Sequence, residues 1–218
     1  MSITGSSVIP ARMRLYDQRN RRLYVNAEER ERFVAATQSS SLETAALCLT
    51  LLYSGCRLSE GLSTTSSSID AYSKFICFRT LKKRHIHEIR EVPIPDTLTK
   101  LLAELIELRS EELTQKNKHS DFPLFQNSGR PVNRVTGYRW IKTVFDKAGI
   151  VGAQATPKGL RHGFGVHALR SGVPLNMLRK WMGHSSIETT AIYANAVGKE
   201  EIEIAERMWS LDIHQHCS

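Results

Sequence analysis

A chain of 218 residues with 41% hydrophobic and 24% charged side chains is long enough to bury a sizeable core, and its composition is that of a folded domain. Its 30 Lys and Arg outnumber 22 Asp and Glu, and the formal charge of +8 suits a polyanionic partner. No apolar run approaches the ~20 residues of a membrane span and residues 1–22 lack the apolar centre of a secretory signal, so a cytoplasmic protein without a membrane partner is expected.

Residues 1–25 carry Arg12, Arg14, Arg19, Arg21 and Arg22 among few apolar residues and form an expected basic N-terminal arm. A single domain is expected over 26–218. Asn26 with Glu29 three residues on has the pattern of a capping box, which predicts a helix to about 37. The Ala- and Leu-rich stretch 42–54 predicts a buried helix stopped by Gly55. Between 63 and 94 Ser and Thr become dense, with Phe75, Cys77 and Val92-Pro93-Ile94 as apolar positions; about three short antiparallel strands are expected, with a basic turn over 82–87.

Pro95 and Asp96 open a helix to about 116, with Leu98, Leu101, Leu102, Leu105 and Leu108 on one face. A loop follows over 120–130, then a helix over 133–148 ended by Gly149. Thr156-Pro157 starts another helix, since Pro is well tolerated at the first helical position; it runs to about 171. Pro174 opens the next, to about 182, and a short helix over 187–194 carries Tyr193. A last amphipathic helix over about 199–209 shows Ile202, Ala205, Met208 and Trp209 along one stripe. The expected fold is α+β, mainly α, with one small antiparallel three-stranded sheet.

Cys48, Cys56, Cys77 and Cys217 lack metal-ligand spacing, and three of them lie in apolar surroundings as reduced core residues. His85 with His87, and His214 with His216 beside Cys217, are incomplete ligand sets. No metal and no other cofactor is expected.

Four segments carry chemistry: Tyr53-Ser54-Gly55-Cys56-Arg57-Leu58-Ser59-Glu60; Leu81-Lys82-Lys83-Arg84 followed by Arg90-Glu91-Val92-Pro93; Thr156-Pro157-Lys158-Gly159-Leu160-Arg161-His162; and Trp181-Met182-Gly183-His184-Ser185-Ser186, with Tyr193 nine positions after His184. Taken singly, each has an ordinary structural explanation: a helix-start cation, a solvated basic turn, a capping His, a core Tyr. In this order and spacing they resemble the tyrosine recombinase (phage integrase) family, over nearly all of residues 26–209.

The resemblance implies that fold and a site-specific recombinase that cuts and rejoins double-stranded DNA. A Tyr nucleophile conserves the bond energy in a 3′-phosphotyrosyl link, and fixed cations stabilise the pentacoordinate phosphate. Guanidiniums suit that task because each offers a planar fork that stays charged. Tyr193 is then the nucleophile and Arg57 and Arg161 the clamp. A Lys from the strand turn, Lys82 or alternatively Lys83, protonates the leaving oxygen. His184 bonds a non-bridging oxygen or positions the Tyr. Glu60 orients Arg57, or accepts from Lys158 or His162.

The family usually has His three residues before its second Arg; this chain has Lys158, expected to keep a catalytic place as a cation that binds phosphate, with less reliance on base catalysis. His162 would point about 100° away from Arg161 around the helix, which makes it a poor substitute. A homo-oligomer, a tetramer on two duplexes, is implied, with the helix at about 199–209 docking on a neighbour. The helix from Asn133, with Arg134, Arg139 and Lys142, is a candidate groove-facing element. The catalytic pattern starts near residue 26, so the chain is expected to be a naturally short recombinase of the invertase kind or a fragment, acting in the bacterial cytoplasm on the nucleoid. The expected alternative is a DNA-binding accessory protein of the same fold with impaired catalysis.

Overall fold

The computed structural model describes residues 14–79, 89–114, 121–195, 202, 205 and 206. Lys82, Lys83, His85, His87, Trp209 and most of the expected helix at 199–209 lie outside them; Ile202, Ala205 and Glu206 are helical. Helix α1 (Ala27–Thr37) starts with the capping box read from the sequence: Glu29 N–H donates to the Asn26 side chain and Asn26 N–H to the Glu29 carboxylate. Helix α2 (Leu42–Ser54) is capped by Ser41 and ends at Gly55, whose φ of 61° lies in the left-handed region that glycine enters without strain.

Short helix α3 (Leu58–Leu62) follows. The three-stranded sheet, β1 (Ile69–Asp70), β2 (Phe75–Arg79) and β3 (Ile89–Pro93), is antiparallel in the order β1-β2-β3. Its period of two buries Ile76 and Phe78 on β2 and Arg90 and Val92 on β3. Helix α4 (Asp96–Thr114) comes next.

The expected loop over 120–130 contains a small hairpin, β4 (Gln126–Asn127) with β5 (Arg130–Pro131). Ser128 (φ 51°) and Gly129 (φ 75°) both take positive φ, as a two-residue hairpin turn demands. Ser is a weak sequence signal for that turn. Helices α5 (Arg134–Lys147), α6 (Pro157–Arg170) and α7 (Leu175–Met182) match their expected spans within a residue or two. The segment expected as one short helix divides into α8 (Glu188–Ala191) and a 3₁₀ turn, Ile192–Asn195, because so short a helix tightens in its last turn.

Helix α2 is the centre of the fold and packs on α4, α5 and α6. The main core joins it to the inner face of the sheet through Leu47, Leu51, Ile76, Phe78 and Leu98. A second cluster around Leu15, Tyr24, Phe164, Leu178, Met182 and Tyr193 lies against α6. Residues 14–25, expected to belong to a basic arm, are folded against the domain. Leu15, Tyr24 and Val25 are buried, Val25 N–H donates to the Gly159 carbonyl at 3.1 Å, and Arg22 pairs with Glu29. The five arginines hide these apolar residues in a reading based on charge density.

Candidate active site

Helix α6 is capped by the Thr156 side chain and begins with Pro157. It is buried continuously from Gly159 to Val166, so side chains around its whole circumference point into protein. Arg161 donates from Nη1 to the Gly55 carbonyl (2.6 Å) and from Nη2 to the Met182 carbonyl (2.7 Å). These carbonyls end α2 and α7, where the last turn leaves acceptors without helical partners and the dipole favours a cation. Both helices stop in a left-handed glycine, Gly55 and Gly183, which turns the carbonyls toward the one guanidinium. Burial, then the charge of Arg57, push Arg161 down to about 10, still a cation at neutral pH.

Arg57 is the N-cap residue of α3 and Glu60 lies one turn on. Glu60 accepts from Arg57 Nη1 (2.7 Å), from the Arg57 backbone N–H (2.8 Å) and from Arg90 Nη2 (2.7 Å). Burial alone would raise the Glu60 carboxyl, but the bond and charge of Arg90, with Arg57, hold it below its usual range. Of the expected roles for Glu60, the structure shows the bond to Arg57; its other partner is Arg90, not Lys158 or His162. Arg90 also donates from Nε to the Trp181 carbonyl (2.9 Å) and lies over the Phe78 ring at 4.9 Å. Its Nη1 is buried without a hydrogen-bond partner among the described residues. Arg57, by contrast, has a side chain 32% exposed.

Tyr193 is fully buried. Its hydroxyl lies 3.2 Å from His162 Nδ1, and its ring is nearly parallel to that of His184, with 6.2 Å between centroids. His184 meets the Thr190 hydroxyl through Nδ1 at 2.9 Å, which leaves Nε2 buried with no hydrogen-bond partner among the described residues. Burial raises the Tyr193 phenol to about 12 against the pull of Arg161 and Arg57. Burial, with Arg161 and Arg57 next, pushes His184 down to about 3. Burial, Lys158 and Arg161 do the same to His162.

The structure thus brings Arg57, Glu60, Arg161, His162, His184 and Tyr193 together. Lys158 is exposed in the first turn of α6, one turn before His162, and its charge reaches that imidazole. The expectation that His162 points away is corrected: the site wraps around α6, so a 100° rotation from Arg161 turns His162 onto Tyr193. The sequence motif around Arg90 assigns that residue no role of its own. Its signal was the strand period, which puts Arg90 on the same inward face as Val92. On α5, Arg134 and Arg139 are exposed, whereas Lys142 is tied to the Ala155 carbonyl at 3.4 Å. A phenol flanked by two guanidiniums and two neutral imidazoles can bind a phosphodiester and stabilise the charge that nucleophilic attack creates.

The Phage integrase family pattern matches residues 23–200. The chain is 27% identical over 158 residues to a tyrosine recombinase of Thermosipho africanus, covering 72% of this chain and 51% of the relative. It is 32% identical over 149 residues to tyrosine recombinase XerD of Oceanobacillus iheyensis, covering 67% and 48%. The chain therefore spans about half the length of these curated relatives. Among solved structures, the XerA recombinase superposes with a TM-score of 0.71 at 26% identity, covering 85% of this chain and 64% of that one. The catalytic domain of bacteriophage HP1 integrase superposes at 0.57 and 23% identity, over 79% and 86%. By its motifs, its fold and the match over residues 23–200, the chain belongs to the phage integrase family.

Proposed function

We propose that the chain is the catalytic domain of a tyrosine site-specific recombinase, which cuts and rejoins double-stranded DNA through a 3′-phosphotyrosyl intermediate. The observation that carries this is that Arg57 and Arg161, from distant segments, both bring their charge to bear on the Tyr193 phenol. Tyr193 Oη attacks the scissile phosphorus, the bond to the 5′ oxygen breaks, and the DNA 3′ end stays on the enzyme. Arg57 and Arg161 balance the equatorial oxygens. Carbonyls take two of the five Arg161 donors and fix the plane of the rest. His184, oriented by Thr190, presents Nε2 to a non-bridging oxygen.

Lys82, or Lys83, protonates the leaving 5′ oxygen. Rejoining reverses each step with the 5′ hydroxyl of a partner strand. Exchange needs four protomers on two duplexes. The helical residue Ile202, 56% exposed, supports docking of the segment 199–209 on a neighbour. Arg134 and Arg139 on α5, beside exposed Val135 and Tyr138, form a face suited to a DNA groove. The work is cytoplasmic, on chromosomal or phage DNA, and the placing of the sites decides between integration, excision, inversion and resolution.

Nicked suicide duplexes tiling the DNA beside the gene, incubated with wild type and Tyr193→Phe in chelator, test this. A denaturation-resistant protein–DNA band from wild type only is expected. No band from either protein, with salt-sensitive retention of the duplex, makes the domain a DNA-binding accessory instead.

A further inference from the structure

Every nucleophilic Tyr has to lose a proton as it attacks. The family position that would supply a His for this holds Lys158, an exposed residue. The group in contact with the Tyr193 hydroxyl is His162, at 3.2 Å through Nδ1. Its ring is buried on the inward side of α6 and tilted 55° to the Tyr193 ring, with 5.8 Å between centroids. The other ring nitrogen, Nε2, is buried with no hydrogen-bond partner among the described residues.

We infer that His162, and not Lys158, is the base that takes the proton from Tyr193 during attack; this rests on Tyr193 being the nucleophile. In the step, the Tyr193 O–H proton passes to His162 Nδ1 as Oη bonds phosphorus and the bond to the 5′ oxygen breaks. The imidazolium then holds the proton. In rejoining, the 5′ oxygen attacks phosphorus, the Tyr193 oxygen departs and Nδ1 returns its proton. For Nδ1 to accept, the resting imidazole carries its hydrogen on Nε2.

The surroundings keep the pair silent until DNA arrives. Lys158 and Arg161 on α6 face His162, as do His184 and Tyr193 from the segments packed against it. With burial, the two cations hold His162 at about 3, while burial holds Tyr193 at about 12, so the proton stays on the phenol. A phosphodiester bound among these cations adds negative charge, which favours the imidazolium.

Single-turnover cleavage of the same nicked duplexes, with ordinary DNA and with sulfur in place of the bridging 5′ oxygen, tests the assignment. The variants are His162→Asn, which keeps a hydrogen-bonding group near the place of Nδ1 but carries no proton at neutral pH, and His162→Ala. Both should cleave about 10²–10⁴-fold more slowly on both substrates while retaining duplex within a few-fold. A thiolate leaves without a proton donor, but the nucleophile still needs its base.

Cleavage by His162→Asn within threefold of wild type, with His162→Ala slow, reduces His162 to a positioning residue and overturns the proposal. Rescue of both variants by sulfur overturns it too, placing His162 on the leaving-group side. Nitrogen NMR of the unaltered protein, which does not depend on how the variants fold, should show the hydrogen on Nε2. A hydrogen on Nδ1 defeats the idea. A wild type that forms no covalent band removes Tyr193 as nucleophile, whereas a wild-type band equalled by His162→Asn removes only the base.

Discussion

The ring of Tyr193 occupies the space a side chain on Gly165 would need: a Cβ built there would lie 2.6 Å from three atoms of that ring. Closer than 3 Å, two carbons cannot coexist without displacement. Glycine on α6 is therefore what lets the tyrosine lie flat against the helix that also carries Arg161 and His162. Gly165→Ala should gain up to ~1 kcal/mol of helix propensity yet show a net loss of about 1–3 kcal/mol from overpacking. Chemical denaturation measures the loss, and hydrogen exchange over 188–195 should rise as the tyrosine is expelled. A net gain in stability with unchanged exchange contradicts the close fit.

Glu60 is the carboxylate through which Arg57 and Arg90 are joined. Glu60→Gln leaves the buried Arg90 without its counter-ion and should cost about 3–5 kcal/mol. The sign with pH follows from its direction. A carboxyl held below 4.5 in the folded state contributes stability above about pH 4.5 and loses it as pH falls through the lower folded value. The variant should therefore be less stable at neutral pH and show a flatter acid limb below pH 4.5, read from urea midpoints across pH.

Three histidines take up their protons well below the pH range of surface ones. Burial above all, with nearby cations, pushes His162 and His184 to about 3 and His167 to about 4. The unfolded chain holds these protons from about pH 6.5 down and the folded one does not. Their contribution is thus complete above pH 6.5 and is lost progressively toward pH 3–4, at about 1.4 kcal/mol per pH unit for each proton. Unfolding at pH 5 should take up close to three protons at these positions, by calorimetry in buffers of different ionisation heat. Uptake below one proton contradicts the burial.

Arg90→Lys keeps the charge but loses the fork that reaches both Glu60 and the Trp181 carbonyl. Bonds to charged groups contribute about 1.5–3 kcal/mol each, so a loss in that range is expected, because Lys does not replace a bidentate Arg. Denaturant titration of the variant checks it. A lysine variant as stable as wild type means that the ammonium replaces both bonds.

Local signals explain what was legible in the sequence. The Asn26–Glu29 box, the Gly55 stop and the Thr156-Pro157 start each act within one helical turn, and the helices they bound are where they were expected. The sheet was legible as a change in composition and period. Residues 14–25 were not, because Leu15, Tyr24 and Val25 are held by α6 and Arg22 by Glu29, contacts that no neighbour in sequence announces. In the site, motif order gathered Arg57, Arg161, His184 and Tyr193. His162 looked a poor substitute because a turn of about 100° from Arg161 points it elsewhere, whereas α6 is buried all round from Gly159 to Val166. Arg90 was missed because a buried arginine on a strand is intelligible only once Glu60 and the Trp181 carbonyl are known to face it.

The two carbonyls held by Arg161 have a consequence for how the domain assembles. Gly55 and Met182 stand far apart in the chain, and the guanidinium joins them only after the intervening helices and sheet have collapsed. Contacts of such long sequence separation form late and slow folding. A nascent chain that has not yet extruded α7 has every residue of the first motif but no assembled clamp, so competence to hold a phosphate arrives only once α7 has emerged from the ribosome.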